Sequence, residues 1–493
     1  MLVLSILLFI PLVGAAIITL LPAANPKLIR GIAIGHALIA LVWSLGLWHW
    51  FDTASGALQF SERFVWNHRL GTYYALGIDG FSFPMVVLTT LLCLIAMMAS
   101  KSIDRGWKGY FSLMLLLETA ILGVFMSQDW ALFYLFWELT LVPLFFLIDR
   151  WGGPNRDSAS INFVLYTMGG SVFMLMSLLV LFDTSSNHSF EMTSMAAGAG
   201  NLGSHKQLFI FLGFLIGFGV KIPLFPLHGW LPLAHVEAPS PVSILLSGVL
   251  LKMGAYGLIR AAMTLPKAMI ILQPILATAA FIGLIYGGLL AWRQQDLKRM
   301  IAYSSVSHMG VVILGIAALN QTAMLGATLQ MVAHGLVAGS MFLLVGLLYE
   351  RTHTRDINHY SNLIRTTPRF ALFITIAFLA AMGLPGTVGF IAELHTLIGG
   401  YERWGWIVVL LTMSVLISAA YSFRTVGRLF TGPERPDMHT IADLTPFELI
   451  ATSLLIGSIL LLGWFPTVVL NMMTASVTLF GATFPSMFQG GVP

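Results

Sequence analysis

The stretch QLFIFLGFLIGFGVKIPLFPLHGWLPL, residues Gln207–Leu233, combines an apolar run of transmembrane length with a lysine and three prolines. A transmembrane helix needs about 20 predominantly apolar residues, so this stretch predicts a span. Pro223, Pro226 and Pro232 lack a backbone donor and interrupt the helix, which lipid tolerates only where the freed groups meet protein or water. The stretch therefore predicts a broken transmembrane helix with Lys221 at the break.

A second interruption, Gly383-Leu384-Pro385-Gly386, lies within the apolar run Phe370–Gly399. Interrupted segments at corresponding positions in two halves of a chain are typical of transporters built from inverted repeats, with an ion site between them. We therefore predict two antiporter-like repeats, formed by helices 4–8 and 9–13, each with one broken helix. The predicted units are N-terminal helices at 1–108, the repeats at 109–262 and 263–430, and a C-terminal helix and tail at 431–493.

The composition excludes a soluble protein. Of 493 residues, 57% are hydrophobic and only 9% are charged, whereas a soluble domain carries about 25% charged residues. Apolar runs separated by polar breaks predict an all-α integral membrane protein with about fourteen transmembrane helices. The last two predicted spans are Gly405–Phe423 and Leu449–Leu470, and the longest breaks between spans surround Asp52–Asp79 and Asp183–Lys206.

Charge and cysteine content exclude further classes of function. The net charge of +4 comes from basic residues scattered over short loops, which makes nucleic acid a poor candidate partner. Cys93 is the only cysteine, and this excludes an internal disulfide, a cysteine-rich zinc site and an iron–sulfur cluster held by this chain alone. Connections after odd-numbered predicted helices carry 17 Lys and Arg and the others 5, which predicts that both termini lie on the non-cytoplasmic side.

Five charged side chains lie within or beside predicted spans, where each costs about 2.5–3.5 kcal/mol on insertion scales and marks an ion path by default. They are Glu118, Glu138, Lys221, Lys252 and Glu393. A lysine and a carboxylate whose separation changes load and release a proton, because the carboxylate favours the charged lysine. The alternative is that these groups form structural ion pairs or reach water from helix ends, and for Glu118 both interpretations stay open.

Two histidines within predicted spans, His308 and His334, extend this set of titratable groups. Serines and ordered water bridge gaps between such groups in proton relays. A lone buried histidine is also common as a structural residue, so both roles stay open. Glu393 follows the second break and is interpreted as an exit-side proton carrier; the alternative is an exposed glutamate at a helix end, paired with Arg403.

Four motifs together resemble the antiporter-like subunits of complex I. They are FWELTLVP at 136–143, VKIPLFPLHGWLP at 220–232, LLKMGAYG at 250–257 and DLKRMIAYSSVSHMG at 296–310. The resemblance extends from about Asp79 to the end of the chain. Glu393 resembles the NuoM/NdhD type, since the sister subunits usually have lysine there.

The resemblance implies a subunit of an NADH- or ferredoxin-linked quinone oxidoreductase in a bacterial inner membrane or a cyanobacterial thylakoid. It places proton transfer on Glu138, Lys221, Lys252 and Glu393, with His308 and His334 along the connecting axis. It implies no cofactor in this chain, because the iron–sulfur clusters and quinone belong to partner subunits. The implied partners are neighbours of the NuoL/NdhF and NuoN/NdhB types, together with lipid.

One departure from the family pattern is Leu233, where the family commonly has aspartate after Trp-Leu-Pro. A carboxylate on the cytoplasmic side is therefore missing, which puts the usual proton entry route in doubt. A variant subunit of a cyanobacterial CO2-uptake complex is one alternative that this departure leaves open. A subunit of a multi-subunit sodium/proton antiporter is a second, and a scaffold whose buried charges only fix packing is a third.

Overall fold

The computed structural model describes residues 2–22, 25–184, 188–433, 435, 438 and 441–488, so part of the predicted unit 431–493 lies outside the described residues. The helices of the first half are α1 Val3–Leu20, α2 Pro26–Trp48, α3 Phe83–Ala99, α4 Trp107–Met126, α5 Trp130–Leu139, α6 Leu141–Trp151, α7 Arg156–Thr184, α8 Met192–Gly200, α9 Ser204–Lys221, α10 Trp230–Glu237, α11 Ser240–Leu245 and α12 Leu251–Thr264. Those that follow are α13 Pro266–Arg293, α14 Leu297–Ala318, α15 Gln321–Thr352, α16 Pro368–Ala381, α17 Val388–Trp404, α18 Met413–Phe430, α19 Pro446–Trp464, α20 Thr467–Ala482 and α21 Pro485–Phe488.

Twelve segments of the described chain are long and apolar enough to cross a membrane, and two shorter apolar helices, α16 and α20, accompany them. The prediction of an all-α integral membrane protein is thereby confirmed. The predicted helix count and the inverted repeat stay predictions. The broken span at Gln207–Leu233 consists of α9 and α10, with the turn between Lys221 and Trp230 separating them.

Polar caps explain why many helices begin where they do. A side chain just before the first turn accepts hydrogen bonds from backbone N–H groups that have no partner inside the helix. Thr445 and Glu448 form a reciprocal capping box at the start of α19. The other described residues that cap in this way are Asn25 for α2, Asp129 for α5, Asp296 for α14 and Asn320 for α15.

The boundaries of the last two predicted spans are wrong. The segment Gly405–Thr412 is a 3₁₀-helix, and the α-helix after it, α18, continues to Phe430. Gly405 has a φ of 63°, a left-handed conformation that glycine adopts without strain and that ends α17. The predicted span Leu449–Leu470 is divided into α19 and α20, because Pro466 cannot donate the hydrogen bond that would continue the helix.

The two long breaks contain secondary structure that hydropathy does not reveal. An antiparallel hairpin of β1 Gln59–Asn67 and β2 Thr72–Ile78 fills most of the first, and α8 lies in the second. The buried Glu62 of β1 accepts a hydrogen bond of 2.7 Å from the backbone N–H of Leu4 at the start of α1. The hairpin thus caps the first helix, which has no capping residue of its own.

The centre of the molecule is formed by α11 and α12, α14 and α15. The most apolar parts of the segments Ser240–Thr264, Leu297–Ala318 and Gln321–Thr352 are wholly or almost wholly buried. By contrast, the most apolar part of the outer segment Val388–Phe430 is largely exposed on the surface of the chain. A buried ion pair of 2.7 Å between Asp79 and Arg260 links the start of α3 to α12. The central helices therefore provide a lipid-free interior for polar side chains.

Candidate functional site

Lys221 ends α9 at the first break, and its side chain is buried among aromatic rings. The residue is 1% exposed, and its Nζ lies 5.2 Å from the centre of the Trp137 ring and 5.8 Å from that of Phe163. The same Nζ donates a hydrogen bond of 3.3 Å to the Thr140 hydroxyl. Cation–π contacts at these distances attract an ammonium group without fixing it to one partner.

Glu138 lies on α5 one residue after Trp137, close to the point where α5 gives way to α6 at Thr140. Its carboxylate acts electrostatically on Lys221. No ion pair within 4.0 Å joins the two groups in the described structure, and the buried Oε1 of Glu138 has no hydrogen-bond partner there. We name Glu138, Thr140 and Lys221 the lysine–glutamate site. Its two charges are neighbours that do not touch.

Close packing joins α9, which carries Lys221, to α12, which carries Lys252. A Cβ atom added to Gly254 would lie 2.9 Å from the Phe218 carbonyl oxygen and 3.1 Å from the backbone nitrogen of Ile222. Both distances are shorter than ordinary van der Waals contact. Glycine at position 254 therefore allows the two helices to approach at the level of Lys221.

Lys252 is fully buried on α12. Its Nζ donates a hydrogen bond of 2.5 Å to the Ser247 carbonyl and lies 2.8 Å from His334 Nδ1 on α15. Ser247 belongs to the π-helical turn Leu246–Leu250 that joins α11 to α12, and such turns occur frequently at functional sites. This geometry allows a proton to move directly between the lysine and the histidine.

Two glycines allow the contact between Lys252 and His334. A Cβ atom on Gly335 would lie 2.8 Å from the Gly248 carbonyl oxygen. The backbone of α15 therefore crosses the π-helical turn at a distance that only glycine permits. Since Gly335 follows His334 directly, the crossing brings the histidine ring to the lysine.

Beyond His334, the contacts continue to the second break. The rings of His334 and His308 lie 5.5 Å apart between centres, and His308 Nδ1 lies 3.1 Å from Glu393 Oε1. The Nε2 atoms of both histidines are buried and have no hydrogen-bond partner among the described residues. We name Lys252, His334, His308 and Glu393 the histidine chain. Its members lie on four different helices.

Glu393 stands next to the second break, and the structure contradicts the alternative of an exposed ion pair. Its side chain is 13% exposed and contacts His308, while Gln330 Nε2 lies 3.5 Å from the same Oε1. Arg403 instead donates a hydrogen bond of 2.8 Å to Gln273. Gly383 has a φ of 75°, and a Cβ there would lie 3.0 Å from Glu393 Oε2. The glycine of the break therefore makes room for the carboxylate.

The structure brings together the four predicted site residues of the histidine chain. The other two predicted site residues, Glu138 and Lys221, form a looser pair. Glu118 is fully buried, and neither of its carboxylate oxygens has a hydrogen-bond partner in the described structure.

Thr140 and Gln330 contact the site although sequence reasoning missed them. Neither carries a charge, so hydropathy and charge patterns gave no signal for them. Leu233 is 42% exposed.

Comparison with known proteins identifies the family. The sequence profile described as "NADH:quinone oxidoreductase/Mrp antiporter, TM" matches residues 127–418. A relative named NAD(P)H-quinone oxidoreductase chain 4 from Thermosynechococcus vestitus is 40% identical over 94% of this chain and 89% of its own length. A chain 4 from a Nostoc species is 42% identical over 80% of this chain and 71% of its own.

Solved structures agree with the described fold. A chain of the respiratory complex I from Thermus thermophilus superposes with a TM-score of 0.90 at 31% identity, covering 98% of this chain and 99% of its own. A chain of the Mrp complex from a Dietzia species gives a TM-score of 0.83 at 22% identity, covering 99% of this chain and 52% of its own. At that lower identity the likeness concerns the fold alone.

Proposed function

Because this chain belongs to the NADH:quinone oxidoreductase/Mrp antiporter family of transmembrane proteins, we propose that it translocates protons as a membrane subunit of a quinone-reducing complex I. The relatives named above are NAD(P)H-quinone oxidoreductase subunits, and the Thermus complex I chain matches over nearly its whole length. These matches favour a complex I subunit over a sodium/proton antiporter subunit. The proposal concerns proton movement alone and assigns no redox step to this chain.

The observation that carries the proposal is the histidine chain. Intramembrane ionisable groups are costly and usually mark ion paths. Here the Nζ of Lys252 meets His334 at 2.8 Å, and His308 meets Glu393 at 3.1 Å. A structural ion pair needs two opposite charges, whereas this arrangement inserts two imidazoles between a lysine and a glutamate. Imidazole accepts a proton at one nitrogen and donates another from the second, which is the property a relay needs.

A proton crosses the histidine chain in three transfers. Lys252 gives a proton to Nδ1 of His334, and His334 releases one from Nε2 toward His308. Because the ring centres are 5.5 Å apart, an ordered water completes this middle step. His308 then gives a proton from Nδ1 to the Glu393 carboxylate. Each imidazole is neutral again once it has released its proton, but in the other tautomer, which must revert before the next transfer. Lys252 regains its charge when the next proton arrives.

The lysine–glutamate site supplies control. An approach of Glu138 to Lys221 favours the charged lysine, and a separation favours release of its proton. The scale of the task is set by the membrane potential, which opposes each charge by about 2.3 kcal/mol per 100 mV. A neighbouring charge in a water-poor interior supplies energies of this order. The absence of a direct ion pair in the described structure supports a pair whose separation changes during the cycle.

The surroundings of the chain are part of the proposal. The protein is a multi-pass membrane protein whose partners are other membrane subunits of the complex. We infer neighbours of the NuoL/NdhF and NuoN/NdhB types, with quinone and iron–sulfur clusters in partner subunits. The excess of Lys and Arg in alternate connections supports termini on the non-cytoplasmic side. Glu393 then delivers protons away from the cytoplasm.

The test uses the purified complex in sealed liposomes, with quinone and an electron donor (NADH or reduced ferredoxin) added and proton uptake followed by a pH-sensitive dye. Lys252→Met removes the first proton carrier, and we expect uptake to fall at least about tenfold, since the lost transfer costs more than 1.4 kcal/mol. Lys206→Met is the matched control, because Lys206 is exposed on α9. Normal uptake by the Lys252 variant would refute the relay. Isolation of the chain only with antiporter subunits that lack iron–sulfur clusters would refute the assignment to complex I.

A further inference from the structure

A cleft of about 430 Å³ lies where the ends of α13 and α18 meet the 3₁₀-helix Ile357–His359. Its walls include Trp292, Arg293, Asn358, Arg424 and Arg428. The cleft is separate from the lysine–glutamate site and from the histidine chain. It lies on the face with the excess of Lys and Arg, which the charge distribution assigns to the cytoplasm.

The cleft is lined by three arginines and by no acidic side chain of the described residues, and the carboxylate next to its lining, Asp356, accepts a hydrogen bond of 3.1 Å from the Asn358 amide. Arg293, Arg424 and Arg428 line it together, and none of the three forms an ion pair within the described part of the chain. No Asp or Glu belongs to its described lining. Arg424 donates one hydrogen bond of 2.7 Å to the Gln294 carbonyl, but its buried Nε has no partner among the described residues.

Two other arginines on the same face show how a carboxylate can neutralise such a charge. Arg351 pairs with Glu448 at 2.6 Å, and Arg355 pairs with Asp296 at 3.1 Å. Three like charges around one cleft repel one another, and a buried donor without a partner costs free energy. An anion in the cleft would remove both costs.

The position of the cleft indicates which anion. Trp292 is 44% exposed at its edge, and Phe423 and Leu289, 59% and 42% exposed, lie on the adjoining surfaces of α18 and α13. Tryptophan is enriched at the level of lipid headgroups, and exposed leucine and phenylalanine on a membrane span face acyl chains. The cleft therefore opens where a headgroup and its acyl chains would both find matching surfaces.

We propose that this cleft binds the phosphate headgroup of an anionic membrane lipid of the phosphatidylglycerol class. Arginine presents a planar fork of donors that matches phosphate oxygens, so Arg424 and Arg428 hold the phosphate. Arg293 adds charge from the end of α13. The acyl chains leave along the exposed surface beside Phe423. The proposal does not depend on proton translocation by this chain.

The test measures lipid at this cleft and not total lipid in the complex. The purified complex is titrated with a short-chain, photoactivatable phosphatidylglycerol, and crosslinks are mapped by mass spectrometry to residues 289–295 and 420–430. Arg428→Gln is the main variant, because Arg428 is exposed and makes no described hydrogen bond that folding needs. Arg424→Gln is the second variant, and Arg150→Gln, an exposed arginine on α6 that does not line the cleft, is the control.

We expect saturable crosslinking that weakens about fivefold for each arginine removed, because a basic residue near the surface contributes about 1 kcal/mol to anionic lipid binding. The Arg150 control should match the unchanged protein, and phosphatidylcholine of the same chain length should not compete. Equal crosslinking by the Arg428 variant and the control would overturn the proposal. Competition by inorganic phosphate as strong as by the lipid would overturn the lipid assignment in favour of a free-anion site. Crosslinks confined to an acidic segment of a partner subunit would overturn the assignment of the lipid to this cleft and favour a protein interface there.

Discussion

The lysine–glutamate site and the histidine chain contain the same kinds of charged groups but differ in how closely these groups are connected. Lys252, His334, His308 and Glu393 are linked by contacts of 2.8 and 3.1 Å and one ring contact of 5.5 Å. Lys221 contacts the Thr140 hydroxyl and two aromatic rings, while Glu138 acts on it without an ion pair.

This difference indicates a division of labour between the two regions. A path with hydrogen-bond distances at two steps and a bridging water at the third conducts protons whenever its first member is charged. A pair of charges that do not touch responds to small changes in their separation, because the Coulomb energy in a water-poor interior varies steeply with distance. The lysine–glutamate site is therefore suited to gating and the histidine chain to conduction.

The largest expected effect is loss of the gate. Lys221→Ala should reduce proton uptake by liposomes containing the complex at least about tenfold, since it removes the lysine that takes up the proton at the break. Lys221→Arg should fail equally, because arginine effectively never deprotonates. Lys206→Arg on the same helix is the control. Full uptake by the Lys221→Arg protein would show that the lysine only packs, and the scaffold interpretation would then be preferred.

The second prediction removes the charge that controls the gate. Glu138→Gln keeps the shape of the side chain but abolishes its electrostatic effect on Lys221, so uptake should fall roughly tenfold, a loss of about 1.4 kcal/mol. Glu138→Asp keeps the charge and should retain part of the activity. The measurement is initial proton uptake per quinol formed. Identical behaviour of the two variants would mean that charge at this position is irrelevant.

The third prediction concerns the end of the histidine chain. Glu393→Gln cannot accept the proton that His308 offers, so uptake should fall severely, whereas Glu393→Lys keeps a titratable group and should retain partial activity. Glu402→Gln is the matched control, because Glu402 is exposed on the same helix. A Glu393→Gln protein that takes up protons normally would remove this residue from the path.

The fourth prediction separates direct transfer from transfer through water. His308→Gln leaves a gap that an ordered water bridges at a cost of about 0–2 kcal/mol, so uptake should fall by a factor between about one and thirty. His395→Gln serves as the control, because His395 lies on α17 and its Nδ1 contacts its own helix at Ile391. A complete block with His308→Gln would show that water cannot replace the imidazole between His334 and Glu393.

The smallest expected effect tests the polar contact of Lys221. Thr140→Val removes a single long hydrogen bond of 3.3 Å, which contributes about 1 kcal/mol, and the aromatic contacts remain. We therefore expect a several-fold loss of uptake that Thr140→Ser restores. Thr167→Val is the control, because Thr167 bonds only to its own helix. An equal loss in both threonine variants would indicate a packing defect.

The sequence alone predicted the membrane class, both helix breaks and the six titratable residues, for a simple physical reason. Hydropathy, proline and intramembrane charge are local properties that lipid penalises one residue at a time. Predictions that depend on exact helix boundaries or on contacts between distant parts of the chain were wrong or missing. The division of the last span at Pro466 was missed, and so was the hairpin, because its capping role depends on Glu62 reaching Leu4 from another part of the chain.

Only the tertiary structure decided which charged groups are connected. The pairing of Lys252 with His334 depends on the close crossing at Gly248 and Gly335, and glycine carries no hydropathy signal of that contact. The choice of His308 over Arg403 as the partner of Glu393 depends on how α14 and α17 pack. Sequence lists the groups that titrate inside a membrane, but a proton moves between neighbours in space, and the packing of helices determines those neighbours.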